Sequence, residues 1–250
     1  MLKRLDRQLV IVLSLCGFSV LIYRIHYAVF GDLRNIFFYM VMDIGFLPIQ
    51  VLLVSFVINR LLIERERRAM LQKMNMVIGA FFSEMGAVLL KSFITFDPRV
   101  DELRPSLLAK PAWSAAEFGK ARYAVQDYKC AIDSRTGDLA ALQSLLLGKQ
   151  GFLLRLLENP NLLEHETFTQ LLWAVSHLTE ELAYRPDLRG LPEADQAHLS
   201  ADIARAYITL VSEWLAYMLH LRNNYPYLFS LAVRLNPFDP SASVVIRNQQ

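Results

Sequence analysis

Residues 36–58, IFFYMVMDIGFLPIQVLLVSFVI, decide the fold: they form an apolar run interrupted by a single charge, Asp43. As a helix rising about 1.5 Å per residue, this run reaches ~35 Å, enough to cross a hydrocarbon core of about 30 Å with some tilt. Upstream, residues 9–23 (LVIVLSLCGFSVLIY) carry no charge, and apolar character resumes to Phe30 after Arg24 and His26. Only GDLRN, residues 31–35, separates the two runs. A link that short predicts an antiparallel transmembrane hairpin, with spans at 9–30 and 36–58 inside a membrane segment 1–63.

The first run does not end like a cleaved leader. RIHYAVF, residues 24–30, offers no small-residue cut site, and Leu15 rather than a small residue precedes Cys16. The expectation is that the segment is retained as a span. Basic residues set its direction. Lys3, Arg4 and Arg7 precede the first span, Arg60, Arg65, Arg67, Arg68 and Lys73 follow the second, and the connecting turn has Arg34. The positive-inside rule then predicts a multi-pass protein of the inner membrane with both termini cytoplasmic. The cluster at 60–73 reads as a membrane-edge basic patch.

Measured from the turn, Arg24 lies about 12 Å deep and Asp43 about 15 Å. A charge near the bilayer centre costs at least ~2.5 kcal/mol. Arg24 and Asp43, with His26 beside them, are therefore expected to form an intramembrane charge pair that fixes the hairpin register. Pro48 is expected to kink the second span.

The whole chain has 250 residues, 54% hydrophobic and 20% charged, with a net charge of +2. Residues 64–250 hold 20 Lys and Arg against 21 Asp and Glu, so no bulk charge points to nucleic acid. Two cysteines, Cys16 and Cys130, exclude a disulfide-stapled scaffold and a four-cysteine zinc site.

Beyond the membrane segment the pattern stays helical. Residues 64–96 are predicted as a membrane-proximal helix continuing the second span. Its apolar positions Leu71, Met74, Ile78, Phe81, Met85 and Val88 alternate by three and four, the spacing of a coiled-coil or bundle seam. This stripe is the candidate partner or oligomer face, with ordinary core as the competing reading. Residues 97–113, with prolines at 98, 105 and 111, read as a linker or wrapping segment. A helical domain follows over 114–235. Ser114 with Glu117 makes a capping box for a helix to Ile132, and Asp138 caps a helix to Glu158. Further helices are expected over 164–184 and 193–222, with a shorter one after NNYP and an extended tail at 236–250. No segment alternates with period two. The predicted class is all-α: a transmembrane hairpin whose second helix continues into a cytoplasmic helical bundle.

No nucleotide-binding, nucleophile-elbow or HExxH signature occurs. GKQG at 148–151 resembles a KH clamp loop, but leucine-rich helical sequence surrounds it, and it reads as a helix break. His177 and Glu180 share a helix face and are the weak metal candidates, while His165–Glu166 and the pair Glu213 and His220 read as ordinary polar positions. A dinuclear centre needs repeated Glu-x-x-His, which is absent. No catalytic residue and no cofactor is implied.

The first functional expectation is a non-catalytic adaptor, scaffold or signal-coupling component, with the lipid bilayer and a protein partner or second copy as its contacts and no nucleic acid. The alternatives are a subunit of an oligomeric channel or transporter, lined by Asp43, Gln50 and Asn59, and a membrane-anchored metal-dependent enzyme. A potassium-type filter is excluded because five residues cannot hold a re-entrant loop.

Overall fold

In a computed structural model of the chain, the backbone is described for residues 2–162 and 165–245. Side chains are described from residue 9 within those limits, apart from Arg68, Ala69 and Asn161. The side chains of Lys3, Arg4, Arg7 and Arg68, the predicted helix start at Glu164 and the tail beyond residue 245 therefore lie outside the described residues. Among the described residues every regular element is helical. The chain divides into two units, Met1–Arg67 and Arg68–Gln250.

The first unit contains α1 (Leu2–Phe30) and the start of α2 (Leu33–Phe81). The turn between them follows from two residues. Gly31 takes a left-handed φ of 64°, and its N–H closes α1 by donating to the Tyr27 carbonyl at 2.8 Å. Asp32 Oδ1 then accepts from the backbone N–H of Arg34 at 2.9 Å and begins α2. Both helices are long and apolar enough to cross a membrane, and none of their most apolar stretch is buried by the protein itself. Leu52 is 72% exposed and Phe38 63%. Pro48 lies within α2.

The second unit begins within α2. A π-helical turn at Phe82–Gly86 interrupts the α-geometry, and α3 (Ala87–Ile94) follows directly. The extra residue of a π turn shifts the register of everything after it. Met74, Ile78, Phe81 and Met85 are buried, but the next inward residue is Leu89, while Val88 stays 52% exposed. The prolines of 97–113 do not leave a bare linker. The segment forms α4 (Val100–Leu103) and a 3-10 turn at Arg104–Ser106, and it buries Val100, Leu103, Leu107, Ala109 and Trp113.

Next come α5 (Ala115–Asp127) and α6 (Leu139–Leu157). Both predicted caps are present: Ser114 and Glu117 form the reciprocal capping box, and Asp138 Oδ1 accepts from the Ala141 N–H at 2.9 Å. The helix from Ser114 ends at Asp127 rather than Ile132, and Tyr128 leaves it to donate its hydroxyl to Asp97 at 2.8 Å. α6 runs unbroken through GKQG, correcting the expected helix break; Lys149 there meets Glu84 at 3.1 Å. After a 3-10 turn at Pro160–Leu162, α7 (Glu166–Ala183), α8 (Glu193–Asn224) and α9 (Pro226–Arg234) complete the order.

The core of this unit is continuous. Phe81 meets Phe168 edge-on at 5.3 Å between ring centres, and Phe93 meets Tyr207 at 6.3 Å. Gly137 has no room for a side chain, because a Cβ there would stand 2.5 Å from the Phe96 ring. The predicted tail is docked over its described part. Phe238 is fully buried, Asn236 Nδ2 donates to the Leu107 carbonyl at 2.8 Å, and Arg104 Nη1 donates to the Phe238 carbonyl at 2.6 Å.

Candidate functional site

α7 and α8 are consecutive helices packed against each other, and each carries a histidine followed four residues later by an acid. On α7 the sequence is HLTEE from His177 to Glu181, and on α8 it is HLSAD from His198 to Asp202. Residues four apart on a helix lie on one face. Packing the two helices turns these faces together. His177 Nε2 stands 3.4 Å from Asp202 Oδ2, and His198 Nε2 stands 3.3 Å from the same oxygen. Glu181 flanks them, 3.8 Å from His177 and 3.6 Å from His198.

Asp202 is the buried member, only 2% exposed. Its Oδ1 pairs with Arg205 Nη1 at 3.0 Å, but its Oδ2 is enclosed and accepts no hydrogen bond, even from the two nearby imidazoles. A buried carboxylate oxygen without a donor is costly, and few survive in folded proteins without a reason. The imidazoles are about half exposed, so the cluster sits at the edge of the domain.

Arg185 braces the surroundings. It grips Asp195 with two bonds, Nη2 to Oδ1 at 2.6 Å and Nε to Oδ2 at 2.9 Å, and holds Glu181 Oε2 through Nη1 at 2.6 Å. The guanidinium lowers the pKa of both acids: its hydrogen bonds keep the Glu181 and Asp195 carboxyls below their ordinary range. Arg185 is itself raised, chiefly by its hydrogen bond to Asp195. Three carboxylates (Glu181, Asp195, Asp202) against two guanidiniums (Arg185, Arg205) leave a local excess of negative charge. Two imidazoles and a free carboxylate oxygen, all within 4.8 Å of one another, are the donor types that divalent transition metals take.

The cluster keeps His177 from the sequence reading and replaces its partner. Glu180 is exposed and takes no part, and Glu181, one position on, turns inward. The informative signal is the repeat of His-x-x-x-acid on two helices, which a search for Glu-x-x-His passes over.

The other sequence candidates are dispersed. Arg24 and Asp43 are both exposed, and no ion pair joins them among the described residues; His26 stacks on Phe30 with ring centres 4.8 Å apart. Gln50 and Asn59 are likewise exposed. In the basic cluster Arg60 pairs loosely with Glu64 at 3.9 Å, and Arg65, Arg67 and Lys73 are exposed. The seam proposed as a partner face is mostly the domain's own core: Met74, Ile78, Phe81 and Met85 are buried, leaving Leu71 and Val88 at the surface. The physical reason is that other helices cover the stripe: Phe81 meets Phe168 of α7, and α3 packs against α6 and α8. His165 caps α7 by accepting from the Phe168 N–H at 3.2 Å, and buried Glu213 accepts from the Thr167 hydroxyl at 2.5 Å. Burial lowers the pKa of His220 and raises that of the Cys130 thiol, the opposite of what nucleophilic activation requires of a cysteine.

Comparison with known proteins divides the chain at the same place as the structure. Residues 70–234 match the family model described as uncharacterized protein MJ1433, C-terminal helical domain, and residues 3–62 match the model described as MJ1433, N-terminal helical domain. Over 242 residues the chain is 42% identical to uncharacterized protein MJ1433 of Methanocaldococcus jannaschii, covering 96% of this chain and 97% of the relative. No solved structure matches.

Proposed function

The chain belongs to the MJ1433 family, and from that premise we propose that it is a membrane-anchored scaffold or signal-coupling protein whose helical domain stands at the membrane surface. The observation that carries this reading is the contrast in burial. The apolar stretches of α1 and α2 have no protein cover at all, whereas the domain after Arg67 buries its apolar residues thoroughly. Apolar surface left open along two helices needs another apolar phase, and a bilayer supplies it. The lengths of both helices fit a bilayer, and the Gly31–Asp32 turn is short enough to return the second helix beside the first, which supports a hairpin.

Arg60, Arg65, Arg67 and Lys73 after the second span support a topology with both termini in the cytoplasm and the turn outside. In a bacterium that membrane is the inner one. The helical domain buries its own apolar residues, Ile78 and Phe81 among them, and a protein partner or second copy receives the signal at its surface.

Alkaline carbonate extraction of membranes, paired with thiol labelling of intact cells, tests the anchoring. The full chain is expected to stay in the pellet, and a cysteine introduced as Asp32→Cys is expected to react with an impermeant reagent from outside. Release into the supernatant, or labelling of that cysteine only after lysis, contradicts the proposal.

A further inference from the structure

We propose that His177, His198 and Asp202 form a binding site for one divalent transition-metal ion, bridging α7 and α8, with Glu181 as its outer acidic partner. The inference stands independently of the membrane reading. It starts from the enclosed Asp202 Oδ2, a formally charged oxygen with no hydrogen-bond donor, facing two imidazole Nε2 atoms at 3.3 and 3.4 Å. Neither contact meets the geometry of a histidine–aspartate hydrogen bond. Those two spacings match ligands around a common ion, and all three ligand atoms lie within 4.8 Å of one another. In a tetrahedral site with bonds of about 2.1 Å, neighbouring ligand atoms lie roughly 3.4 Å apart.

The surroundings fit the same occupant. Arg205 holds Oδ1 and leaves Oδ2 to the site, a division that orients a ligating carboxylate. The local charge is negative before any ion enters, which favours a cation over an anion. Two imidazoles with one carboxylate select a zinc, iron, manganese or cobalt type of ion over magnesium or calcium, which prefer all-oxygen sites. The repeats of His-x-x-x-acid place the histidine and the acid of each helix on one face, so the helices need no irregular loop to build the site. The Arg185 clamp on Glu181 and Asp195 fixes the α7–α8 turn that brings them together.

The site is open on one side. His177 and Arg205 border a surface cavity of about 400 Å³, together with Gln170, Trp173 and Thr209. Three protein ligands and access to solvent leave a fourth position for water or an exogenous ligand, unlike a closed four-ligand structural site.

The test uses the full chain in mild detergent, carrying a purification tag without histidine and stripped with chelator. Titration with Co²⁺ is expected to give one equivalent per chain, with visible absorption bands of a nitrogen–oxygen site that Zn²⁺ displaces. The variants H177A, H198A and D202N are each expected to weaken Co²⁺ binding at least about 100-fold, at or above the loss seen for outer partners of metal sites. E180Q is expected to bind like the parent. Zn²⁺ should also raise the unfolding temperature of the parent and leave that of D202N unchanged. If an alanine variant loses its helical circular dichroism, H198Q and the isosteric D202N decide the matter. No bound Co²⁺ at 100-fold excess over protein, or stoichiometric binding that survives in both H198Q and D202N, overturns the proposal.

Discussion

Phe38 and Phe81 are the same residue type in the same helix, yet Phe38 is 63% exposed and Phe81 is fully buried. The difference lies in what the rest of the chain brings to each. Around Phe81 the chain supplies Phe82 and Phe168 as aromatic neighbours, whereas among the described residues Phe38 has a ring contact only with its sequence neighbour Tyr39. Apolar composition alone therefore does not separate an uncovered helix from a core helix. The presence or absence of covering elements does, and α2 contains both conditions.

The sharpest way to break that contrast is truncation at the two phenylalanines. Phe81→Ala is expected to destabilise the helical domain by about 3–5 kcal/mol, because a fully buried ring leaves a cavity. Phe38→Ala is expected to leave the domain's unfolding midpoint unchanged. Denaturant melts in detergent, followed by tryptophan fluorescence, compare the two; equal losses would mean that Phe38 also has a protein environment. A second test reverses the polarity. Leu52→Arg places a charge within the second span and is expected to cost insertion free energy, up to the ~2.5–3.5 kcal/mol of a charge at a helix centre, seen as a fall in the membrane-inserted fraction. Full insertion of that variant would count against lipid contact at Leu52.

A smaller effect sharpens the domain side. Tyr128→Phe removes the hydroxyl donor to buried Asp97, with an expected loss of about 1–3 kcal/mol. The parent also has a predictable alkaline limit. Burial first, and the hydrogen bond to Asp97 second, raise the Tyr128 pKa above the ordinary value near 10. A raised pKa means stability present below about pH 10 and lost as pH climbs toward the folded-state value. Tyr207, raised by its own burial, contributes in the same sense. Tyr128→Phe should flatten the alkaline decline without abolishing it, and an unchanged pH profile would remove Tyr128 from the account.

Much of this architecture is visible in the residues themselves. The apolar runs, the Ser114–Glu117 box, the Asp138 cap and the stripes on α7 and α8 are local patterns, and local patterns survive folding. The misreadings fall where a distant element decides the outcome. The π turn at Phe82–Gly86 has no sequence marker, so the spacing points to Val88 where the buried residue is Leu89. Asn236 and Phe238 dock in a stretch without apolar periodicity, anchored by Leu107 and Arg104 far away in the chain. At the candidate site, choosing Glu181 over Glu180 depends on where α8 lies, because the adjacent positions differ by one helical step. The repeat of HLTEE and HLSAD is nevertheless legible in the sequence, as a histidine and an acid four apart on each of two helices.

The central claim is that lipid covers what the protein leaves bare between residues 9 and 58 and nothing beyond it. Photolabelling with a lipid-soluble carbene precursor in native membranes, followed by peptide mapping, tests this directly. The account predicts label concentrated on peptides from 9–30 and 33–58, with the core peptides around Phe168 and Tyr207 unlabelled. Label spread evenly over both regions, or spans left as unlabelled as the domain core, would contradict it.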